Sequence, residues 1–301
     1  MQKKEMERVH KCPICGNSKR KKIYNSNISD FSSDDFNITD SQYGKTWDFY
    51  KCSNCGFYYS DPTPSAELLV KIYSAVEDPD YEMEKRGRED NFKRIIKRIL
   101  KIKPEKGKIL DVGAATGIFM GLAKENGFMV EGIEPSKWAV DFAKKEHNID
   151  IHRTDLFSFE TDKKYDIITF LDLIEHLKNP LEGLNKANSL LKNDGILVIV
   201  TPNIESLLPK IMKNRWWHFR PPHINFFTNR SIKYILDKTG FEILSIKPYH
   251  WRFSLYYIVS RFSTGKKICD KIKPLKSLLK FIKIKLYLFD SMEIYAKKRD
   301  N

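Results

Sequence analysis

The chain has 301 residues, enough for one large α/β domain with a smaller companion and a sizeable buried core. Its 41% hydrophobic and 13% aromatic content excludes a disordered polymer. A formal charge of +14 leaves nucleic acid, an anionic membrane surface and phosphorylated substrates open as partners.

The opening stretch MQKKEMERVHK is charged and lacks an apolar core, so no secretory leader is expected and the protein reads as cytoplasmic. Four of the five cysteines follow in two pairs, Cys12 and Cys15 in CPICG and Cys52 and Cys55 in CSNCG. In a reducing compartment such pairs read as zinc ligands before disulfides. Two intervening residues let a tight turn aim both thiolates at one tetrahedral ion. Gly16 and Gly56 let the chain turn beneath the metal. Residues 16–51 separate the pairs, more than the usual ribbon spacing of roughly 15–20, and are expected to form a polar loop. Metal-free cysteine turns and a redox dithiol are the alternatives. Cys269 stands alone in a basic stretch and reads as a small apolar residue. Residues 1–65 are thus expected to form a zinc-ribbon-like segment and 66–105 a helical connector or lid.

From Lys108 onward strand and helix signals alternate, as a parallel sheet with helices on both faces requires. Strands are expected at 108–112, 129–134, 149–152, 165–172 and 195–203, with two more at 241–249 and 291–298. Helices are expected at 118–126, ended by Gly127, at 136–147 with Ser136 as N-cap, and at 180–191 opening on Pro180. The expected fold is therefore Rossmann-like, α/β and seven-stranded. Its core would span 106–250, with a basic helical insertion and the last strand in 251–301.

The turn after the first core strand reads KILDVGAATGIF. A dinucleotide fingerprint wants glycine at three places, G-x-G-x-x-G, but Ala115 and Ile118 stand at the second and third. A ligand without a pyrophosphate asks less of this turn. With ILDVGAATG, VEGIEPS, YDIITFLDLIEHLKNP, LLKNDGILVIVTPN and PPHINFFTNRSIKYILDKTGF in order, the chain resembles class I S-adenosylmethionine-dependent methyltransferases. The resemblance is to the branch with an N-terminal C-x-x-C/C-x-x-C zinc-binding segment, and it covers roughly residues 10 to 250. It departs at Ala115, where many relatives carry glycine.

The resemblance implies that Asp111, Gly113, Ala115 and Gly117 hold the methionyl end of S-adenosylmethionine. Glu134 stands 23 residues after Asp111, near the offset of ~20 at which an acid meets a ribose diol. A carboxylate suits two vicinal hydroxyls because it accepts from both. Asp155 and Leu156 fall where the family contacts adenine, and Phe170 and Leu171 end the fourth strand beside the sulfonium.

Candidate bases cluster in LDLIEHLKNP: Asp172, Glu175 and His176. The D-x-x-E-H pattern resembles that of quinone-precursor O-methyltransferases, which implies a divalent ion such as Mg²⁺ at these groups. His176 acting alone as base, or Glu175 and His176 shaping the pocket, are the other readings. A second cluster, RWWHFRPPHINFF, contains Trp216, Trp217, His218, His223 and Phe227. It is expected to wall the acceptor pocket, with His223 as a second base stiffened by Pro221-Pro222.

Between Arg261 and Lys285 nine Lys or Arg stand against one acid, Asp270. Ile268, Ile272, Leu275, Leu279 and Ile282 recur at helical spacing, interrupted by Pro274. This reads as basic amphipathic helix, either packed on the core or docked on the anionic inner face of a membrane. The apolar run Phe253–Ser260 is too short to span a bilayer. The expected activity is methyl transfer to a small-molecule acceptor, foremost a sugar, nucleotide sugar or glycolipid of bacterial surface glycans. A phenolic quinone precursor is the rival acceptor. An RNA-binding zinc protein is the reading from another class, but the basic patch and the aromatics do not interleave, so nucleic acid is not expected.

Overall fold

The computed structural model describes residues 5–37, 39, 43–260 and 278–299. The N-terminal part carries β1 (Met6–Glu7), β2 (Arg20–Tyr24), β3 (Phe49–Cys52), β4 (Tyr58–Ser60) and β5 (Thr63–Pro64). Helices α1 (Ala66–Ser74), α2 (Asp80–Met83) and α3 (Lys85–Ile102) follow. The alternating region then runs β6 (Lys108–Val112), α4 (Ile118–Glu125), β7 (Met129–Ile133), α5 (Lys137–His147), β8 (Tyr165–Leu171), α6 (Pro180–Leu190) and β9 (Leu191–Pro202). After it come α7 (Leu207–Met212), β10 (Asn225–Phe226), α8 (Asn229–Lys238), β11 (Phe241–Pro248), β12 (Trp251–Ser254), α9 (Leu255–Ser260), β13 (Lys283–Leu286) and β14 (Ser291–Lys298).

The central sheet has six strands in the order β11-β14-β9-β8-β6-β7. β7, β6, β8 and β9 are parallel, while β14 runs antiparallel between β9 and β11. Ile109, Leu110, Ile167 and Ile168 are fully enclosed, which is why these strands read as unbroken apolar runs. Ser136 Oγ caps α5 by accepting from Ala139 N–H, and Asn179 Oδ1 caps α6 at Glu182 N–H, with Pro180 in the first turn.

The expected strand at 149–152 contracts to one parallel bridge between Ile133 and His152, so the sheet has six strands rather than seven. Asp155 Oδ1 accepts from Phe157 N–H at 2.8 Å and Ser158 N–H at 3.2 Å, and this turn leads the chain away from the sheet.

The N-terminal cysteine segment shares a second sheet with the core. Its order is β10-β4-β3-β2, with Asn225 opposite Tyr59 and Phe226 opposite Tyr58. Phe49, Trp216, Phe219 and Phe226 form one buried aromatic cluster across this junction, and Trp47 Nε1–H donates to the Pro221 carbonyl at 2.8 Å. The loop before β10, which borders the site described below, is thereby fixed by a partner almost two hundred residues away in the chain.

Most of the expected basic helix, including Ile268, Ile272 and Leu275, lies outside the described residues. Residues 278–281 are helical, but Lys283–Leu286 is strand β13, paired antiparallel with β12. There the Lys-Ile-Lys-Leu alternation has a period of two, which suits a strand and overrides the helical reading. Among the described residues, no helix is long and apolar enough to cross a membrane.

Candidate active site

A cavity of about 750 Å³ opens at the carboxyl ends of β6, β7 and β8, the edge at which parallel α/β sheets place ligands. One end is built by the turn after β6. Gly113 has φ +75°, which glycine adopts without strain, and a Cβ there would lie 3.1 Å from Leu173 Cδ1, a close contact that the leucine would have to relieve. Ala115 adopts φ +46° and donates its N–H to Glu134 Oε2 at 3.0 Å, while Ser136 N–H donates to Glu134 Oε1 at 2.9 Å. Burial raises the pKa of Glu134, and these two backbone N–H groups oppose the rise. Each carboxylate oxygen keeps lone-pair capacity for a further donor.

Gly113, Ala115, Glu134, Asp155, Leu156 and Leu171 all line this cavity. Asp111, Gly117 and Phe170 do not. Asp111 points sideways between strands, where its Oδ1 accepts from the Thr169 hydroxyl at 2.6 Å. Gly117 precedes α4 in left-handed conformation, packed against Ile149 and Ala143. Phe170 is fully enclosed in the core. A half-buried carboxylate, a turn without bulky side chains and an apolar wall of Ile133, Leu156 and Phe157 suit a nucleoside.

The other end follows β8. Asp172, at φ +54°, leads into a 3-10 turn over Ile174–His176. Thr201 Oγ1–H donates to Glu175 Oε2 at 2.9 Å, whereas Glu175 Oε1 is buried with no hydrogen-bond partner among the described residues. Burial, then the neighbouring Asp172, pushes the Glu175 pKa well above the carboxylate range. Burial also pushes Asp172 up, to about 6, against the pull of His218 and Arg88.

Two histidines meet over this floor although 47 positions part them: His176 and His223 stand with ring centroids 4.9 Å apart, edge to face. His176 Nδ1 bonds the Tyr73 hydroxyl at 2.8 Å. His223 Nδ1 lies 2.7 Å from the His218 carbonyl oxygen. A carbonyl only accepts, so Nδ1 carries the proton and the lone pair of His223 sits on Nε2. Burial, then the positive field of Arg220, lowers His176 to about 3. Burial, then His176, His218 and Arg220, takes His223 well below its ordinary value. Both rings are therefore neutral near neutral pH.

Of the expected aromatic wall, Trp217 lines the cavity, together with His218. Trp216 and Phe227 do not. Trp216 is enclosed and donates Nε1–H to Asp290 Oδ2 at 3.0 Å, and Phe227 packs on Phe57 of the cysteine segment. Among the lining residues that carried no sequence signal are Tyr73 on α1, Tyr81 on α2 and Arg88 on α3. Arg88 lies over the Tyr81 ring, 3.7 Å from its centroid, with Nε buried and unpartnered among the described residues.

Residues 83–246, more than half of the chain, match the family model described as a methyltransferase domain. The chain belongs to this family. Over 196 residues this methyltransferase-domain chain is 31% identical to the ubiquinone biosynthesis O-methyltransferase of Rickettsia typhi, covering 57% of the chain and 78% of that relative. It is 32% identical over 107 residues to the protein of that name from Actinobacillus pleuropneumoniae, covering 32% of the chain. In that relative and others like it, the chain spans about half of the length, 46% in this case. A similar solved structure is magnesium protoporphyrin IX methyltransferase from Synechocystis with bound SAH. At a TM-score of 0.50 and 15% identity, covering 76% of the chain and 91% of that protein, it shows the fold alone.

Away from the cavity, the methyltransferase-domain chain gathers its four paired cysteines at one point. Cys12 Sγ lies 3.5 Å from Cys55 Sγ, Cys15 Sγ lies 3.5 Å from Cys52 Sγ, and all four sulfurs fall within 4.8 Å of one another. A tetrahedral zinc site with Zn–S of about 2.3 Å has S–S edges of about 3.8 Å, so the donor set fits that ion. Glu175, His176 and His223 form the other such cluster among the described residues. His223, rather than the expected Asp172, is the third member of that group.

Proposed function

We propose that the protein transfers the methyl group of S-adenosylmethionine to the hydroxyl of a small phenolic acceptor. The observation that carries this reading is the single cavity joining the Glu134 end to the His223 end. The naming of the relatives as O-methyltransferases of ubiquinone biosynthesis favours a phenol over the sugar or glycolipid expected from sequence. When bound, the cofactor supplies a methyl already activated on a sulfonium.

Glu134 accepts from the ribose hydroxyls, Asp155 and Leu156 border the adenine, and Arg88 supplies a cation for a carboxylate. The apolar walls exclude water and hold the acceptor in line. His223, neutral and with its lone pair on Nε2, would take the phenolic proton as the methyl–sulfur bond breaks and the methyl–oxygen bond forms. Tyr73 fixes the His176 ring beside it.

A second reading rests on the unpartnered Glu175 Oε1. Glu175, His176 and His223 would hold a divalent ion such as Mg²⁺, which lowers the pKa of a bound hydroxyl. At the cysteine cluster a zinc ion has a purely structural role.

The test is transfer of labelled methyl from S-adenosylmethionine into a panel of catechols and alkylphenols, set beside nucleotide sugars. Label in the phenols, with or without dependence on a divalent ion, supports the proposal. Label confined to sugars overturns the acceptor assignment, and failure of SAH to bind overturns the cofactor assignment.

A further inference from the structure

Seven of the fourteen large hydrophobic side chains exposed among the described residues fall in two short stretches. One is α7, where Leu207 is 68% and Ile211 65% exposed. The other runs from 278 to 289, where Leu278, Phe281, Ile282, Tyr287 and Phe289 are between 40% and 63% exposed. Neither stretch contains an acid. LLPKIMKNR (207–215) carries Lys210, Lys213 and Arg215, all exposed, and LLKFIKIKLYLF (278–289) carries Lys280, Lys283 and Lys285.

Both stretches also line the cavity from within, the first through Met212 and Arg215 and the second through Leu286 and Leu288. They are therefore parts of its rim, with apolar and cationic groups turned outward beside the opening. Other cations border the second stretch: Arg86 lies over the Phe281 ring, 4.2 Å from its centroid. Of the three lysines of that stretch, Lys283 alone makes an ion pair with an acid among the described residues, to Asp90 at 2.7 Å.

We propose that this rim docks on an anionic phospholipid bilayer, with Phe281, Tyr287, Phe289, Leu207 and Ile211 entering the headgroup boundary. Exposed aromatic and aliphatic groups interleaved with lysine are the composition that partitions into that layer. The charge selects the lipid, since each lysine near an anionic surface is drawn to it. Soluble protein surfaces rarely leave such groups gathered in one place without a partner. Docked this way, the cavity opens toward the acyl region. Resting on the phenol reading above, the acceptor it admits is then one with a lipid tail.

The experiment is vesicle flotation of the full chain. It uses phosphatidylcholine vesicles with and without about 30 mol% phosphatidylglycerol, and SAH binding is read in parallel by calorimetry. The wild type is expected to float with the anionic vesicles and about tenfold less with the neutral ones. The triple variant Phe281→Ser/Tyr287→Ser/Phe289→Ser, and separately Leu207→Ser/Ile211→Ser, should each lose about tenfold in partitioning with SAH affinity unchanged. Equal partitioning of both variants, indifference to phosphatidylglycerol, or no flotation overturns the proposal. So does concentration-dependent dimerisation through the patch without vesicle affinity, which assigns it to a second copy. If one variant loses SAH binding, the other decides. A wild type that floats but binds no SAH counts against the cofactor assignment and leaves the docking surface standing.

Discussion

His223 donates its Nδ1–H to the carbonyl oxygen of His218 at 2.7 Å, five residues back in the same loop. The bond selects between two histidines that composition leaves equivalent. His176 has Nδ1 engaged by Tyr73, and the Pro222 carbonyl also bonds its ring, so it is held from two sides. His223 presents an unprotonated nitrogen. His223→Gln should therefore lower kcat for methyl transfer by about 10²–10⁴, with SAH affinity within twofold of wild type. His176→Asn should cost less in kcat. Steady-state assays with calorimetry separate the two, and an undiminished kcat in the His223 variant removes the base assignment.

Glu134 receives backbone N–H groups from both sides, at Ala115 and Ser136, which aims its carboxylate before any ligand arrives. A hydrogen bond to a charged acceptor contributes about 1.5–3 kcal/mol, so the loss of even one in Glu134→Ala should weaken SAH binding at least about tenfold. Glu134→Gln, which keeps one acceptor oxygen, should fall between the two. Calorimetric titration gives all three values. Retained wild-type affinity in the alanine variant would show that the ribose lies elsewhere.

The parts of the molecule legible in sequence are those decided locally. The strand at 108–112 carries Ile109, Leu110 and Val112 on both faces because both faces are covered, and Ser136 and Pro180 announce their helices by chemistry confined to one turn. Counting from Asp111 reaches Glu134, just past β7 and on the cavity wall, because β6, α4 and β7 have lengths fixed by the sheet. What is not legible depends on long-range closure. Tyr73 and Arg88 sit on ordinary amphipathic helices and become site residues only when those helices lie across the cavity. The strand expected at 149–152 fails because the Asp155 turn competes with sheet pairing, a contest that strand propensity does not weigh. Likewise Trp216 reads as a pocket aromatic until β10 pairs with β4 and draws it into the junction.

The cysteine cluster is joined to the core through Phe57, whose ring centroid lies 5.0 Å from that of Phe227. Cys12, Cys52 and Cys55 belong to the same buried cluster as Phe227 and Ile232. Elemental analysis should find one zinc per chain in the wild type and none in Cys52→Ser. Because metal binding free energy is folding free energy at such sites, the variant should melt several degrees lower, and a chelator should bring the wild type to the same value. A metal-free wild type with unchanged melting refutes the structural ion.

Asp111 is 3% exposed, and burial, opposed by the Thr169 hydroxyl and aided by the Glu134 charge, raises its pKa to about 7. In the unfolded chain the same group titrates at about 3.9. Between these values the folded state holds more protons than the unfolded one, so stability falls as pH rises from about 4 to 7 and the full cost persists above that. A shift of this size corresponds to about 4 kcal/mol, at one pKa unit per 1.36 kcal/mol. Asp111→Asn keeps an oxygen to accept from Thr169 and removes the ionisation. In the absence of cofactor it should melt above the wild type at pH 8, with the difference closing as pH falls toward 5. Thermal melts across that range give the answer, and parallel profiles for the two proteins would mean that Asp111 is not the group that titrates.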